Sequence, residues 1–419
     1  MTQDRAPAPQ MRHVPSLDGL RAVAVVAVML FHLGFPHVIP GGYAGVDVFF
    51  VLSGFLITSL ILDEWDSSAA RVNLLNFYMR RALRLLPVLG CVIVAAAAVA
   101  KVGEAGGGVN ARSVAHATFD AIPWVILYAG NLVRAFGFST LGLLQTTWSL
   151  AVEEQFYLIW PISFVLCARR GFRRDRLALF LALAALTEMA YRQIMVDAGY
   201  FHVVRYYFAT DTHSDGLLLG CALGLWLSSR RSVPLRPSVL KRLRATTWLG
   251  TIVLLAVFAA ANPKAPPVDI TAAVLASALI LVGLVRQDVP FAFRGLLSSR
   301  PAVWIGRRSY GLYLWHFLIF ITAASLYHQF THDYAGPGFG ARNVTIDVVD
   351  MAAVAVTFMT AALSYRFLEV PALRLKRHFR TDVAGGRHRQ ETAVPPEGVP
   401  AGQAAAADPA GLSGAADPG

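Results

Sequence analysis

Long apolar runs separated by short polar segments dominate this chain from residue 19 to residue 368. About 20 apolar residues in an α-helix cross the hydrocarbon core of a bilayer. We therefore predict an all-α, polytopic membrane protein with about ten transmembrane helices. The predicted spans are 19–35, 45–62, 85–100, 148–168, 177–196, 211–227, 245–262, 269–285, 310–327 and 346–368.

The spans divide the chain into three predicted regions: an N-terminal segment (1–15), a transmembrane domain (16–380) and a tail (381–419). The tail is rich in Ala, Gly and Pro without apolar periodicity, which predicts disorder. Residues 119–138 form one more apolar stretch. If it crossed the membrane, the later basic segments would change sides, so we interpret it as a re-entrant or interfacial segment buried against protein.

Composition excludes several classes of protein. Hydrophobic residues make up 56% of the chain and charged residues only 15%, against about 25% charged in soluble domains. A soluble enzyme, a disordered protein and a disulfide scaffold are therefore not expected. The net charge of +11 comes mostly from Lys and Arg in alternate loops, which is typical of cytoplasmic loops rather than of nucleic-acid binding. We predict a multi-pass protein of the cell membrane with both termini cytoplasmic and no nucleic-acid partner.

Two ionisable residues lie in the first predicted span. Arg21 and His32 are 11 positions apart, so on an α-helix they share a face and lie about 16 Å apart. Histidine can take a proton from a hydroxyl group near neutral pH, and a guanidinium group can hold a phosphate. A structural alternative is that Arg21 reaches the membrane interface and His32 bonds another helix.

Further ionisable residues are also divided by charge, with arginines on the predicted cytoplasmic side and carboxylates towards the other side. Arg81 and Arg84 share a helix face on the predicted cytoplasmic side, where two guanidinium groups are a plausible phosphate site; plain inside-positive charge is the alternative. On the opposite side, Asp47 or Glu153 could orient the His32 imidazole, although Asp47 could instead cap a helix.

The remaining candidates are predicted to contact a polyhydroxyl ligand on the side of His32. They are Glu154, next to Glu153 in the fourth span, and Asp211, His213 and Asp215 at the start of the sixth. Carboxylates accept hydrogen bonds from sugar hydroxyls. We interpret His316, in the ninth span, as a structural hydrogen-bonding residue.

Four segments in this order resemble the integral-membrane acyltransferase-3 family: SLDGLRAVAVVAVMLFH, GGYAGVDVFFVLSGFLIT, TWSLAVEEQFYLIWP and SYGLYLWH. The resemblance implies ten transmembrane helices and transfer of an acyl group, often acetyl, from acyl-CoA to a hydroxyl of a glycan, a lipid-linked sugar or a macrolide-type natural product. It implies that Arg21 and His32 match the essential pair, that Arg81 and Arg84 match the pair linked to donor handling, and that Glu153 and Glu154 match an acidic motif. His213 departs from the family pattern, which often has Arg there.

The sequence therefore predicts a membrane O-acyltransferase with His32 as general base, acetyl-CoA as the expected donor, membrane lipid around it and no metal. Within this class, an acyl-histidine or acyl-serine relay is an alternative to direct transfer. From another class, a polytopic transporter or flippase for a lipid-linked or polyhydroxyl substrate also fits buried charges in many spans, but such proteins commonly contain internal repeats and none is apparent.

Overall fold

The computed structural model describes residues 13–33, 39–68, 71–106, 109–228, 230, 235–261, 267–286, 292–331 and 344–375. The predicted tail and the first twelve residues lie outside them. The α-helices are α1 (Pro15–His32), α2 (Gly45–Ser67), α3 (Leu74–Gly106), α4 (Val109–Ile126), α5 (Gly130–Ala135), α6 (Thr147–Arg169), α7 (Arg174–Asp197), α8 (Val203–Phe208), α9 (Asp215–Ser228), α10 (Pro237–Ala260), α11 (Val268–Val285), α12 (Phe293–Leu297), α13 (Arg300–Arg307), α14 (Ser309–Thr331), α15 (Val344–Ser364) and α16 (Val370–Leu375).

Within these described ranges, nine helical segments are long and apolar enough to cross a membrane. They correspond to nine of the ten predicted spans, and the prediction of an all-α polytopic membrane protein is confirmed. The exception is the predicted sixth span. Its helix, α9, has 14 residues and a length of about 21 Å, because the polar stretch before it forms a 3₁₀ turn instead of continuing the helix.

The apolar stretch 119–138 is not one continuous helix. Helix α4 ends at Ile126, the chain turns through Tyr128 with a φ of 52°, and α5 begins at Gly130. A positive φ interrupts helical geometry in a non-glycine residue. This break is compatible with the predicted re-entrant or interfacial segment.

Helices α2 and α9 cross at close range, which glycines on both helices make possible. A Cβ atom at Gly54 would lie 2.1 Å from the carbonyl oxygen of Leu217, and one at Gly220 would lie 2.2 Å from that of Val51. Small residues allow helix backbones to approach in membranes. The crossing brings the polar start of α9 against α2 near Asp47.

Helix α1 is surrounded by other helices, chiefly α2, α13 and α14. Ala24, Val25 and Val28, which lie between its two ionisable residues, are fully buried. Proline at the first position begins the helix without losing a hydrogen bond. Because α1 is packed in this way, Arg21 and His32 face protein rather than lipid.

Candidate functional site

Two cavities lie beside α1, one against each of its ionisable residues. The smaller has a volume of about 60 Å³ and is lined by Arg21, Glu153 and several serine and tyrosine side chains. The larger has a volume of about 220 Å³ and is lined by His32 and a ring of aromatic residues.

The smaller cavity contains a guanidinium group without a direct partner. Among the described residues, Arg21 makes no hydrogen bond or salt bridge, although Arg84 and Glu153 lie within electrostatic range. Arg84 likewise has no direct partner in the described part of the chain, and it lies within electrostatic range of the buried Glu369. Two neighbouring guanidinium groups that are not neutralised by contact favour a bound anion.

The other arginine predicted to hold the donor is already paired. Arg81 donates hydrogen bonds to both carboxylate oxygens of Glu154, at 2.9 Å and 3.1 Å from Nε and at 2.5 Å from Nη2. Its guanidinium group also lies 3.4 Å from the ring centre of Tyr157. Arg81 and Glu154 therefore satisfy each other, and the unpaired positive charge at this end comes from Arg21 and Arg84.

The two carboxylates that were expected to orient His32 bond elsewhere. Glu153 accepts a hydrogen bond of 2.7 Å from the Ser53 hydroxyl. Asp47 lies 2.8 Å from Nε2 of His213, and both side chains are completely buried. The expected contact with His32 is therefore not made, because these carboxylates contact Ser53 and His213 instead.

The His32 ring takes part in a chain of hydrogen bonds that assigns its protons. Its Nδ1 lies 3.0 Å from the carbonyl oxygen of Val28 and 3.2 Å from Nε2 of His316. A carbonyl oxygen can only accept, so Nδ1 of His32 carries the proton. In the neutral ring Nε2 is then the acceptor nitrogen, and it forms no hydrogen bond with any residue the structure describes.

Seven of the side chains that line the larger cavity are aromatic. They are Phe31, Tyr43, Trp148, Tyr206, Tyr207, Phe208 and Tyr313. Burial raises the pKa of the Tyr207 phenol well above its usual value, and Asp47 adds to this effect, so the hydroxyl keeps its proton. The carboxylate at this wall belongs to Asp269, which accepts a hydrogen bond of 3.2 Å from Tyr43. Flat rings with a few polar groups suit a polyhydroxyl ligand.

The two cavities meet at a common wall. Val46 and Tyr313 line both of them, and the Tyr313 hydroxyl lies 2.7 Å from that of Ser149. Arg21 and His32 therefore line neighbouring cavities that share part of their wall.

The predicted ligand-binding residues at the start of α9 do not line the larger cavity. Asp215 is paired with Arg192 at 2.9 Å, with both side chains completely buried. Asp211 forms two hydrogen bonds of 2.9 Å and 2.6 Å to Arg205. These carboxylates, like Asp47, are therefore already paired with basic side chains.

A family model described as an acyltransferase domain matches residues 14–365. That range includes every residue that lines the two cavities. The chain belongs to the acyltransferase-3 family. The resemblance that the four sequence motifs indicated is therefore confirmed, and no solved structure matches the chain.

Several curated proteins are similar to this acyltransferase-3 chain. It is 33% identical over 366 residues to the peptidoglycan O-acetyltransferase OatA of Listeria monocytogenes, and 34% identical over 373 residues to the putative peptidoglycan O-acetyltransferase YrhL of Bacillus subtilis. It is 32% identical over 374 residues to the putative O-acetyltransferase SACOL0978 of Staphylococcus aureus. Each match covers 86% of this chain but only 56%, 55% and 58% of these relatives, respectively, so the chain spans little more than half their length.

Three parts of this acyltransferase-3 site were not predicted. Tyr313 and Val46, at the common wall, look like ordinary apolar helix residues, and Asp269 looks like the polar start of a span. His316 was interpreted as a structural hydrogen-bonding residue, and it contacts the carbonyl oxygen of Leu312 and Nδ1 of His32. The motif SYGLYLWH places Tyr313 and His316 three positions apart, on one helix face, which is the signal that could have linked them.

Proposed function

We propose that this protein is a membrane O-acetyltransferase that moves an acetyl group from acetyl-CoA to a hydroxyl group of a glycan. The observation that carries the proposal is the common wall of Val46 and Tyr313 between a cavity with an unpaired guanidinium group and a cavity with an available imidazole nitrogen. Membership of the acyltransferase-3 family supports the reaction class, and the names of the relatives support a peptidoglycan sugar as acceptor.

The donor binds at the end of α1 that carries Arg21. Arg21 and Arg84 hold phosphate groups of the coenzyme, because neither guanidinium group has a direct partner among the described residues. The thin pantetheine arm runs along α1 towards His32, a distance of about 16 Å along the helix. Between the cavities it passes Val46 and Tyr313.

The acceptor sugar occupies the larger cavity. Its ring lies against the aromatic side chains, and its hydroxyl groups bond polar groups such as Asp269 and the Tyr207 hydroxyl. A volume of about 220 Å³ gives room for a small group such as one sugar ring.

His32 is the general base. Its Nε2 takes the proton of the acceptor hydroxyl while the hydroxyl oxygen attacks the thioester carbonyl carbon. The carbon–sulfur bond breaks, and the proton passes from Nε2 to the departing thiolate, which leaves as coenzyme A. The products are the acetyl ester and the free thiol.

The excess of Lys and Arg in alternate loops supports cytoplasmic termini. This orientation puts Arg21 and Arg84 on the cytoplasmic side, where acyl-CoA is available, and His32 nearer the outer side.

The purified protein tests this function directly. With labelled acetyl-CoA and peptidoglycan fragments, we expect release of free thiol and an equal amount of labelled, alkali-sensitive ester on the sugar. Uptake of acceptor into vesicles without consumption of thioester would instead indicate a transporter or flippase. Label retained on the protein in the absence of acceptor would indicate a covalent acyl-enzyme.

A further inference from the structure

We propose that His316 is a positioning residue for His32, in the place that a carboxylate takes in a catalytic triad. The proposal rests on the proposed function, because it assumes that His32 is the general base. It concerns how the imidazole of His32 is held and how its protonated form is stabilised.

The proton positions follow from two backbone carbonyl groups. Nδ1 of His316 lies 3.2 Å from the carbonyl oxygen of Leu312, so Nδ1 is the donor and Nε2 carries the lone pair. That lone pair faces Nδ1 of His32 at 3.2 Å, whose proton also points to the carbonyl oxygen of Val28. Both rings are thereby fixed in the tautomer that leaves Nε2 of His32 free to accept a proton.

The surroundings hold both rings in this arrangement. His316 is completely buried and packs against Tyr313 and Phe320, with ring centres 5.6 Å and 5.7 Å apart. The His32 ring packs against Phe31 and Phe317, with ring centres 5.3 Å and 5.4 Å apart. Rotation of either ring would break the hydrogen bond between the two rings.

The arrangement matters most when His32 becomes charged. After Nε2 takes a proton, the ring is an imidazolium, and the acidity of its Nδ1–H rises. The lone pair of His316 and the carbonyl oxygen of Val28 then both accept from a charged donor, which makes stronger hydrogen bonds than a neutral donor. Among the described residues, His316 is the side chain that makes this contact, and no carboxylate bonds His32.

Two amide variants separate this role from simple space filling. In His316→Gln the side-chain oxygen can occupy the position of Nε2 and accept from His32, whereas in His316→Asn the side chain is too short to reach. Loss of a hydrogen bond from a charged donor typically costs about 10–100-fold. We expect His316→Asn to lower kcat about 10–100-fold with the KM for acetyl-CoA within about twofold, and His316→Gln to recover most of that kcat.

Different results would contradict the role of His316 and the proposed function. Equal kcat for the Asn and Gln variants, or wild-type kcat in His316→Asn, would overturn the role of His316 while leaving His32 as the base. Full activity in His32→Ala would overturn the proposed function itself. In the His32→Ala background, His316→Asn should cause no further loss, since the contact it removes is already absent.

A measurement on the wild-type protein tests the same proposal even if the His316 variants do not fold. Nitrogen NMR of ¹⁵N-histidine-labelled protein, with the His32 signals identified by their absence in His32→Ala, reports which ring nitrogen is protonated. We expect a neutral His32 ring protonated at Nδ1. A ring protonated at Nε2 would contradict the proposal.

Discussion

The hydroxyl groups of Tyr313 and Ser149 lie 2.7 Å apart where the cavity beside Arg21 meets the cavity beside His32. This contact holds the Tyr313 ring in the common wall, which Val46 on α2 also lines. Passage of a thioester from one cavity to the other therefore depends on the space that Tyr313 and Val46 leave.

Enlarging Val46 should block that passage. Val46 is almost fully buried and lines both cavities, so the phenyl ring of Val46→Phe has to occupy the space between them. We expect acetyl transfer to fall at least about tenfold, with some loss of stability from overpacking of about 1–3 kcal/mol. Val46→Ala is the matched control and should keep most of its activity. Undiminished transfer by a folded Val46→Phe variant would argue against this route.

The unpaired guanidinium groups should recognise the phosphates of the donor. Removing a hydrogen bond to a charged group costs about 1.5–3 kcal/mol, so Arg21→Gln and Arg84→Gln should each raise the KM for acetyl-CoA by about 10–100-fold. With acetyl-pantetheine, which has no phosphates, the variants and the wild type should have similar kinetics. If the variants lose as much activity with this truncated donor, the phosphate assignment is wrong.

Arg81 and Glu154 should act chiefly on stability. Their side chains are 22% and 14% exposed and make a multiply hydrogen-bonded pair. Removing one partner leaves a partly buried charge unpaired, at a cost of about 1–3 kcal/mol, so Arg81→Gln and Glu154→Gln should each lower the thermal unfolding midpoint. The double variant should lose less than the sum of the two. A rise in the KM for acetyl-CoA as large as that of Arg84→Gln would return Arg81 to the donor site.

Asp47 and His213 should likewise behave as one structural unit. Both are completely buried, and they contact each other at 2.8 Å, while His213 also donates to the carbonyl oxygen of Tyr207 at 2.5 Å. Asp47→Ala should lower the unfolding midpoint. The double variant Asp47→Ala/His213→Ala should lower it by much less than the sum of the two single effects. A stable Asp47→Ala variant with the kcat of His32→Ala would instead restore the catalytic role that the sequence suggested.

The sequence was sufficient for the architecture because membrane spans are encoded in local apolar runs. The helix of the sixth span is shorter than predicted, because Asp211 lies in a 3₁₀ turn before α9 and His213 pairs with Asp47. Helical spacing also placed Arg21 and His32 on one face, which agrees with their lining two neighbouring cavities.

The partners of the ionisable residues could not be predicted in the same way. Which carboxylate meets which base depends on how separate helices cross, and the spacing along one helix does not contain that information. Asp47 meets His213 across 166 positions, and His32 meets His316 across 284. Inspection of single spans therefore found the right residue types but not their pairing.

The central claim is that His32 removes the proton of the acceptor hydroxyl. It is tested most directly by the single-turnover rate of acetyl transfer to a glycan by purified His32→Ala protein, in parallel with binding of coenzyme A to the same sample. We expect the rate to fall by about 10²–10⁴-fold, the usual contribution of a general base, with coenzyme A binding and the unfolding midpoint close to wild type. A wild-type transfer rate in that variant would contradict the account.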